Sequence, residues 1–477
     1  MPDNNGTADP AGSGKADWID LFRDGRGVYT VLINLGIGLH ALDIFIITTI
    51  MPTVVADIGG LAYYTWAAML YTVGSIAGAA CGAHVRSVLG RRRGYSYAGI
   101  ALLIGTVACA VAPDMTTLLV ARFVKGVAGG LVIAQTFALI SELYDQRLRT
   151  RMLATITTTW SVAALIGPAV GGVFAEIGWW RGSFWATAPF IIWFSWMAWR
   201  ALPIAEEPAV SRRLPWRRLA LLMAGVMSVG VTSQVDGMML RGGLIVLAVV
   251  LVWATFRLDQ ASDHALFPSR ALSLSSPVGL AYWVYITISV THTTLLIFAP
   301  LFLQVLHGMT PLYVGYLALV FSIAWTAGSL GVAGWTGNWQ RFGAVGGMAL
   351  AAAGTAALAG AMVAGPMTLI TLYIILIGLG VGATNVIMTA YGMAAAREGE
   401  ESVTASSMPT IRSLGVAFGA AISGLVANTT GLDQGITPDT VASVAVWVLG
   451  MSVIAPALGA LFALRALVSH PVAADSG

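Results

Sequence analysis

The sequence predicts an all-α integral membrane protein with fourteen spanning helices and both ends on the inner side of the membrane. Three observations predict it. First, 57% of the 477 residues are hydrophobic and 10% are charged, with a mean hydropathy of +0.81. A soluble domain is about 45–50% apolar and about 25% charged. Second, the apolar runs reach the roughly 20 residues that a spanning helix needs, without the ten-residue polar–apolar alternation of a membrane β-barrel. Third, the basic residues are one-sided. With the N-terminus inside, only Arg181 and Arg241 fall on outer loops, and Arg122, Lys125 and Arg412 fall within segments. The other twenty of the 25 Lys and Arg lie inside, as the positive-inside rule requires.

In chain order, residues 1–27 are polar, lack the layout of a secretory signal, and read as a disordered inner tail. Six segments follow, at 28–51, 63–83, 95–112, 116–140, 152–175 and 183–201, making an N-terminal bundle over 28–201. Residues 202–217, with "EEPAVSRRLPWRR", form an inner linker. Two short segments, 218–235 and 242–257, make an inserted pair and decide between twelve and fourteen helices. Deleting only one of them would place most later basic residues outside. A second bundle spans 276–465, with segments at 276–304, 312–335, 343–364, 367–395, 403–427 and 441–465, and an inner tail covers 466–477. Two six-helix halves around a central path are a common transporter plan. The net charge of +3 is too small to suggest nucleic acid. Cys81 and Cys109 sit in apolar runs and read as packing residues.

Asp43 is the one acid deep in a segment. A buried carboxylate there costs about 2.5–3.5 kcal/mol on insertion scales, so it carries either a coupling or substrate role or a structural ion pair. It precedes Pro52 by nine residues, about 14 Å of helix. Arg122 lies eight residues past Asp114, about 12 Å into the fourth segment, at a similar depth. Lys125 shares its face at i, i+3. His40 lies one turn before Asp43, and His292 lies mid-way along the ninth segment. Each could carry protons or rest neutral and hydrogen-bonded. Asn34, Gln135, Gln304, Asn385, Trp160, Tyr282, Trp283 and Tyr285 could line a cavity, although Trp and Tyr also belt membrane interfaces. The run "GPAVGG" places Gly167, Pro168, Gly171 and Gly172 where small residues allow close helix approach and proline kinks the helix. There is no phosphate-binding loop, no Cys/His cluster with metal spacing, and no serine with a readable base; this points away from catalysis.

Several stretches resemble one family. "LDIFIITTIMPTVVADIG" resembles the first helix of the fourteen-helix drug:proton antiporters of the major facilitator superfamily. "ARFVKGVAGG" resembles that superfamily's fourth-helix motif, and "LIGPAVGGVFAEIGWWRGSFWATAPF" resembles its fifth-helix antiporter motif. "DHALFPSRALS" and "SSMPTIRSLGVAFGAAISG" resemble the later connector and thirteenth helix. The resemblance runs along the whole chain. It implies that fold, in a bacterial inner membrane, and a proton-coupled exporter of amphipathic drugs or metabolites working by alternating access. It also implies a proton gradient instead of a cofactor, a small-molecule partner and a monomer. It implies proton coupling at Arg122, with Asp43, His40 and His292 as the other candidates. Lys125 stands where the family usually has glutamine. That adds a cation to the cavity, which suits an anionic substrate, or gives Asp43 a firmer partner. Asn34, Gln135, Trp160, Asn385 and Tyr285 are further cavity candidates. "GPAVGG" implies a seal between the halves, and Gly90, Arg91, Arg92 and Arg412 are gating or structural candidates. The loop "GAHVRSVLGRRRG" lacks the family's aspartate, with Arg86 or Ser87 in its place, so its latch must be built differently. Two further readings stay open: an exporter of one anionic compound or lipid, and a non-transporting scaffold or sensor.

Overall fold

The computed structural model describes residues 18–23, 25–144, 146–204, 216–262, 265–335, 337–398 and 400–469. The expectations for residues 1–17, for most of the 202–217 linker (205–215) and for 470–477 lie outside the described residues.

Helix occupies all fourteen predicted stretches. The N-terminal half holds α1 (Arg26–Ile58), α2 (Trp66–Ala110), α3 (Met115–Leu143), α4 (Gln146–Glu176) and α5 (Arg181–Ala201). The inserted pair is α6 (Trp216–Val231) and α7 (Met238–Gln260). The C-terminal half holds α8 (Pro277–His307), α9 (Pro311–Val332), α10 (Gly337–Ala364), α11 (Met367–Ala394), α12 (Glu401–Thr429), α13 (Pro438–Ser452) and α14 (Ile454–Ser469). Among the described residues, ten helical stretches are long and apolar enough to cross a membrane, or eleven counting the two arms of α2 as one bent span. The 16-residue α6 and α5 are not among the ten.

Three boundaries differ from expectation. The loop predicted between the second and third segments is mostly helical. Its arms are bent by 91°, and Gly90 takes φ 74°, ψ 174°, a conformation open to glycine at little cost. The last segment is broken at Val453; Pro456, lacking an N–H, cannot bond the carbonyl four residues back. The predicted disordered tail ends early, because Trp18–Leu21 forms a 3-10 turn with Leu21 fully buried. The Thr30 hydroxyl donates to the Leu21 carbonyl at 2.8 Å.

Glycine lets α2 and α3 touch backbone to backbone. A Cβ on Gly78 would stand 1.9 Å from the Val127 oxygen, and one on Gly130 would stand 2.0 Å from the Ser75 oxygen. The contacts that cross between the halves gather at the end where α1 leads into α2. There Asn428 of α12 donates to the Ala62 carbonyl at 2.7 Å, and Tyr64 reaches the Ile297 carbonyl of α8 at 3.4 Å and packs on Phe298. The "GPAVGG" run belongs to the same seam. Gly167 and Gly171 face α1, whereas Gly172 abuts Leu312, and Pro168 abuts Gly315, both of α9. The inserted pair docks on this end as well: Gln234, just after α6, donates to the same Ala62 carbonyl at 2.9 Å.

Candidate functional site

Asp114 caps α3 by accepting from the Thr117 N–H at 2.8 Å, which sets where Arg122 and Lys125 fall along the helix. Both point at α1. Arg122 Nη1 binds Asp43 Oδ2, and Lys125 Nζ lies 2.5 Å from Asp43 Oδ1. The three side chains are 0–3% exposed. Each carboxylate oxygen therefore has its own cation. Arg122 Nε also donates to the Ala67 carbonyl of α2 at 3.0 Å, and its guanidinium lies over the Tyr71 ring at 4.3 Å. Its Nη2 is buried with no hydrogen-bond acceptor among the described residues; the ring face beneath supplies part of the missing attraction. Lys125 Nζ lies 4.8 Å from the centre of the Phe184 ring. Two cations on one carboxylate leave this buried centre with an excess positive charge.

His40 joins the centre through Tyr71, whose hydroxyl meets His40 Nδ1 at 2.8 Å. Tyr71 and Phe184 were not foreseen from the sequence. The glycine spacing that draws α2 onto α3 was the available signal for Tyr71. Trp160 stands edge-on to His40 at 6.2 Å. Asn34 ties α1 to α4, donating to Thr155 at 3.1 Å and accepting from Thr159 at 2.7 Å. Gln135 is 1% exposed and ties α3 to α2, donating to the Gly82 carbonyl at 3.2 Å and accepting from Arg86 at 3.2 Å. Lys125, of the two readings offered for it, has the geometry of a partner for Asp43.

A pocket with about 520 Å³ of empty space lies between α1, α8, α9 and α11. Phe45, Thr48 and Thr49 line it from one half, and His292, Phe321 and Ser322 from the other. His292 stacks on Phe321 at 5.1 Å. None of Asn34, Lys125, Gln135, Trp160, Tyr285 and Asn385 is among the residues lining this pocket. Tyr285 is 6% exposed and shares a hydrogen bond with Thr389 across α8 and α11. Asn385, one turn before Thr389, is half-buried, and its carbonyl accepts from the Thr389 hydroxyl.

At the opposite end, Arg86 pairs with Glu142 of α3, and Arg91 lies 3.5 Å from the same carboxylate. Arg92 stacks over Trp199 at 4.8 Å. The loop that lacks the family's aspartate thus takes its acid from α3.

A sequence model of the Major Facilitator Superfamily matches residues 33–420. The chain belongs to this superfamily. The resemblance to this superfamily read from the sequence therefore holds, and the protein is a multi-pass membrane transporter. A protein of Mycobacterium tuberculosis (strain H37Rv) named "Probable multidrug-efflux transporter" is 30% identical over 443 residues, covering 89% of this chain and 91% of the relative. "Multidrug resistance protein 3" of Bacillus subtilis is 23% identical over 308 residues, covering 62% of this chain and 59% of that one. Two solved structures share the fold. The partially occluded, inward-open xylose transporter of E. coli matches with TM-score 0.60 and 14% identity, over 93% of this chain and 99% of its own. An inward-facing bacterial homologue of the human lysosomal transporter Spinster matches with TM-score 0.62 and 14% identity, over 93% and 97%.

Proposed function

We propose that this superfamily member is a proton-coupled exporter of amphipathic small molecules, crossing a bacterial inner membrane fourteen times with both ends inside. It works as a monomer and is driven by the proton gradient instead of a bound cofactor. One observation carries the reading: Asp43, buried in α1, is held by Arg122 and Lys125 of α3, on the helix whose Phe45, Thr48 and Thr49 line a pocket shared by both halves. The relatives named for multidrug efflux support the direction of transport.

A proton on Asp43 removes the negative charge that holds two cations. Leaving a buried charge unpaired costs about 3–5 kcal/mol, so the proton loads only in a conformation where water or ligand reaches Arg122 and Lys125. The closed seam at Ala62, Pro168 and Gly172 is the natural element to open in exchange. Loading and opening are then one event, as coupled exchange requires.

The test is Asp43→Asn in proteoliposomes, with a panel of cationic, neutral and anionic amphipathic dyes. Efflux driven by a pH gradient should disappear while dye exchange without a gradient persists. Full gradient-driven efflux in the variant would end the coupling proposal.

A further inference from the structure

The C-terminal half holds a cation, Arg412, with no counter-charge among the described residues. Arg412, on α12, is exposed, and the groups around it, Tyr285, His292 and Trp325, belong to α8 and α9, so it faces the space between helices of the C-terminal half. Its guanidinium lies 5.6 Å from the centre of the Trp325 ring of α9. Trp325 stands edge-on to His292 at 5.5 Å and to Phe321 at 6.0 Å, and these two residues line the apolar pocket. Arg412 is near enough to Tyr285 and His292 to act on both electrostatically. Among the described residues its guanidinium has no ion pair or hydrogen bond. Along α12 the nearest acidic position in sequence, Glu401, is eleven residues away, about 16–17 Å.

An interior cation is costly unless an anion or water compensates it, and one cation–π contact returns only part of that cost. Arg122 and Lys125, the buried cations of the N-terminal half, are already engaged by Asp43. A guanidinium also offers a planar fork that matches the two oxygens of a carboxylate. From these observations we infer that Arg412 anchors the carboxylate-type group of an amphipathic organic anion, whose apolar body lies on Trp325 and Phe321 and reaches into the pocket. This deepens the exporter reading and rests on it for transport, but it concerns binding alone.

The test measures thermal unfolding of the purified full chain in detergent, with no gradient, against 2-naphthoxyacetate and its methyl ester. The wild type should be stabilised at lower concentrations of the acid than of the ester. Arg412→Gln should need about tenfold to a hundredfold more acid for the same shift, the range expected for one lost charge-assisted hydrogen bond. Its response to the ester should stay unchanged, which also shows that it is folded. Arg412→Lys should keep most of the preference for the acid. A wild type that does not distinguish acid from ester overturns the inference, as does an Arg412→Gln that retains the distinction or loses both responses equally. The acid–ester difference is read at equilibrium, so it survives if Asp43→Asn proves that coupling lies elsewhere.

Discussion

The two halves of the molecule treat an interior positive charge in opposite ways. In the N-terminal half, Arg122 and Lys125 are 0% and 2% exposed, and both grip one carboxylate. In the C-terminal half, Arg412 is open to the space between helices and rests on an indole ring with no acid beside it among the described residues. The first arrangement is closed, with each carboxylate oxygen of Asp43 on its own cation, so the chemistry proposed for it is an exchange of a proton against an ion pair. The second is incomplete, so its chemistry is to wait for an anion from outside the chain. The pocket takes wall residues from both halves: Phe45, Thr48 and Thr49 from the helix that carries Asp43, and His292 and Phe321, which touch Trp325.

The largest expected effect breaks this comparison if it fails. Arg122→Leu leaves Asp43 with only Lys125 and frees the Ala67 carbonyl. Its charged hydrogen bonds to Asp43 and to the Ala67 carbonyl are each worth about 1.5–3 kcal/mol, and relief of the repulsion with Lys125 offsets part of this, so the loss should be about 2–4 kcal/mol, seen as a lowered unfolding midpoint in detergent. Arg412→Leu removes a charge that nothing compensates, so it should leave the empty protein's midpoint unchanged or raise it. Equal losses in the two variants would mean that Arg412 has a structural partner after all.

A smaller effect sharpens the N-terminal side. Lys125→Gln removes one cation from a centre that has one too many, while Arg122 stays on Asp43. The lost charged hydrogen bond is worth about 1.5–3 kcal/mol, and relief of the repulsion between the two cations offsets part of it. The net loss should be about 1 kcal/mol, and gradient-driven efflux should survive. A loss as large as that of Arg122→Leu would make Lys125 an equal holder of Asp43.

Much of the first centre was legible in the sequence, because rise per residue is fixed. Counting from Pro52 and from Asp114 puts Asp43 and Arg122 at one depth, and the ion pair follows. The direction of Lys125 was not fixed by spacing, since i, i+3 names a helix face and not what that face meets. Tyr71 and the Ala67 carbonyl were invisible for the same reason: they arrive through the α2–α3 contact, which Gly78 and Gly130 permit. The inner loop was mistaken in extent because its basic residues look like plain anchors, whereas Arg86 pairs with Glu142, some fifty residues on. Asp259 drew no reading from the sequence, since it falls two residues past the predicted segment 242–257. It is 1% exposed, pairs with Arg218 and accepts the backbone N–H groups of Leu266 and Phe267 at 2.9–3.0 Å, folding the connector after α7. Arg412 was legible as a residue but not as a site, because its lack of a partner is a property of the packed structure.

The smallest effect concerns the seam that both centres must share. The Ala62 carbonyl receives Asn428 of α12 at 2.7 Å and Gln234, beyond α6, at 2.9 Å. Gln234→Ala leaves that carbonyl still satisfied by Asn428, so the loss should be about 0.5–1.5 kcal/mol. Adding Asn428→Ala orphans the carbonyl, and the loss in the double variant should then exceed the sum of the two single losses. The bonds exist only while this end is closed, so the loss appears as a conformational shift and not only as lower stability. About 1 kcal/mol is a roughly fivefold change in the ratio of closed to open forms, readable as the distance between spin labels placed on α2 and α12 at this end. A shift from Gln234→Ala alone would mean that the inserted pair bears on the gate; no shift would leave Asn428 and the α4–α9 glycine contact as the whole of the closure.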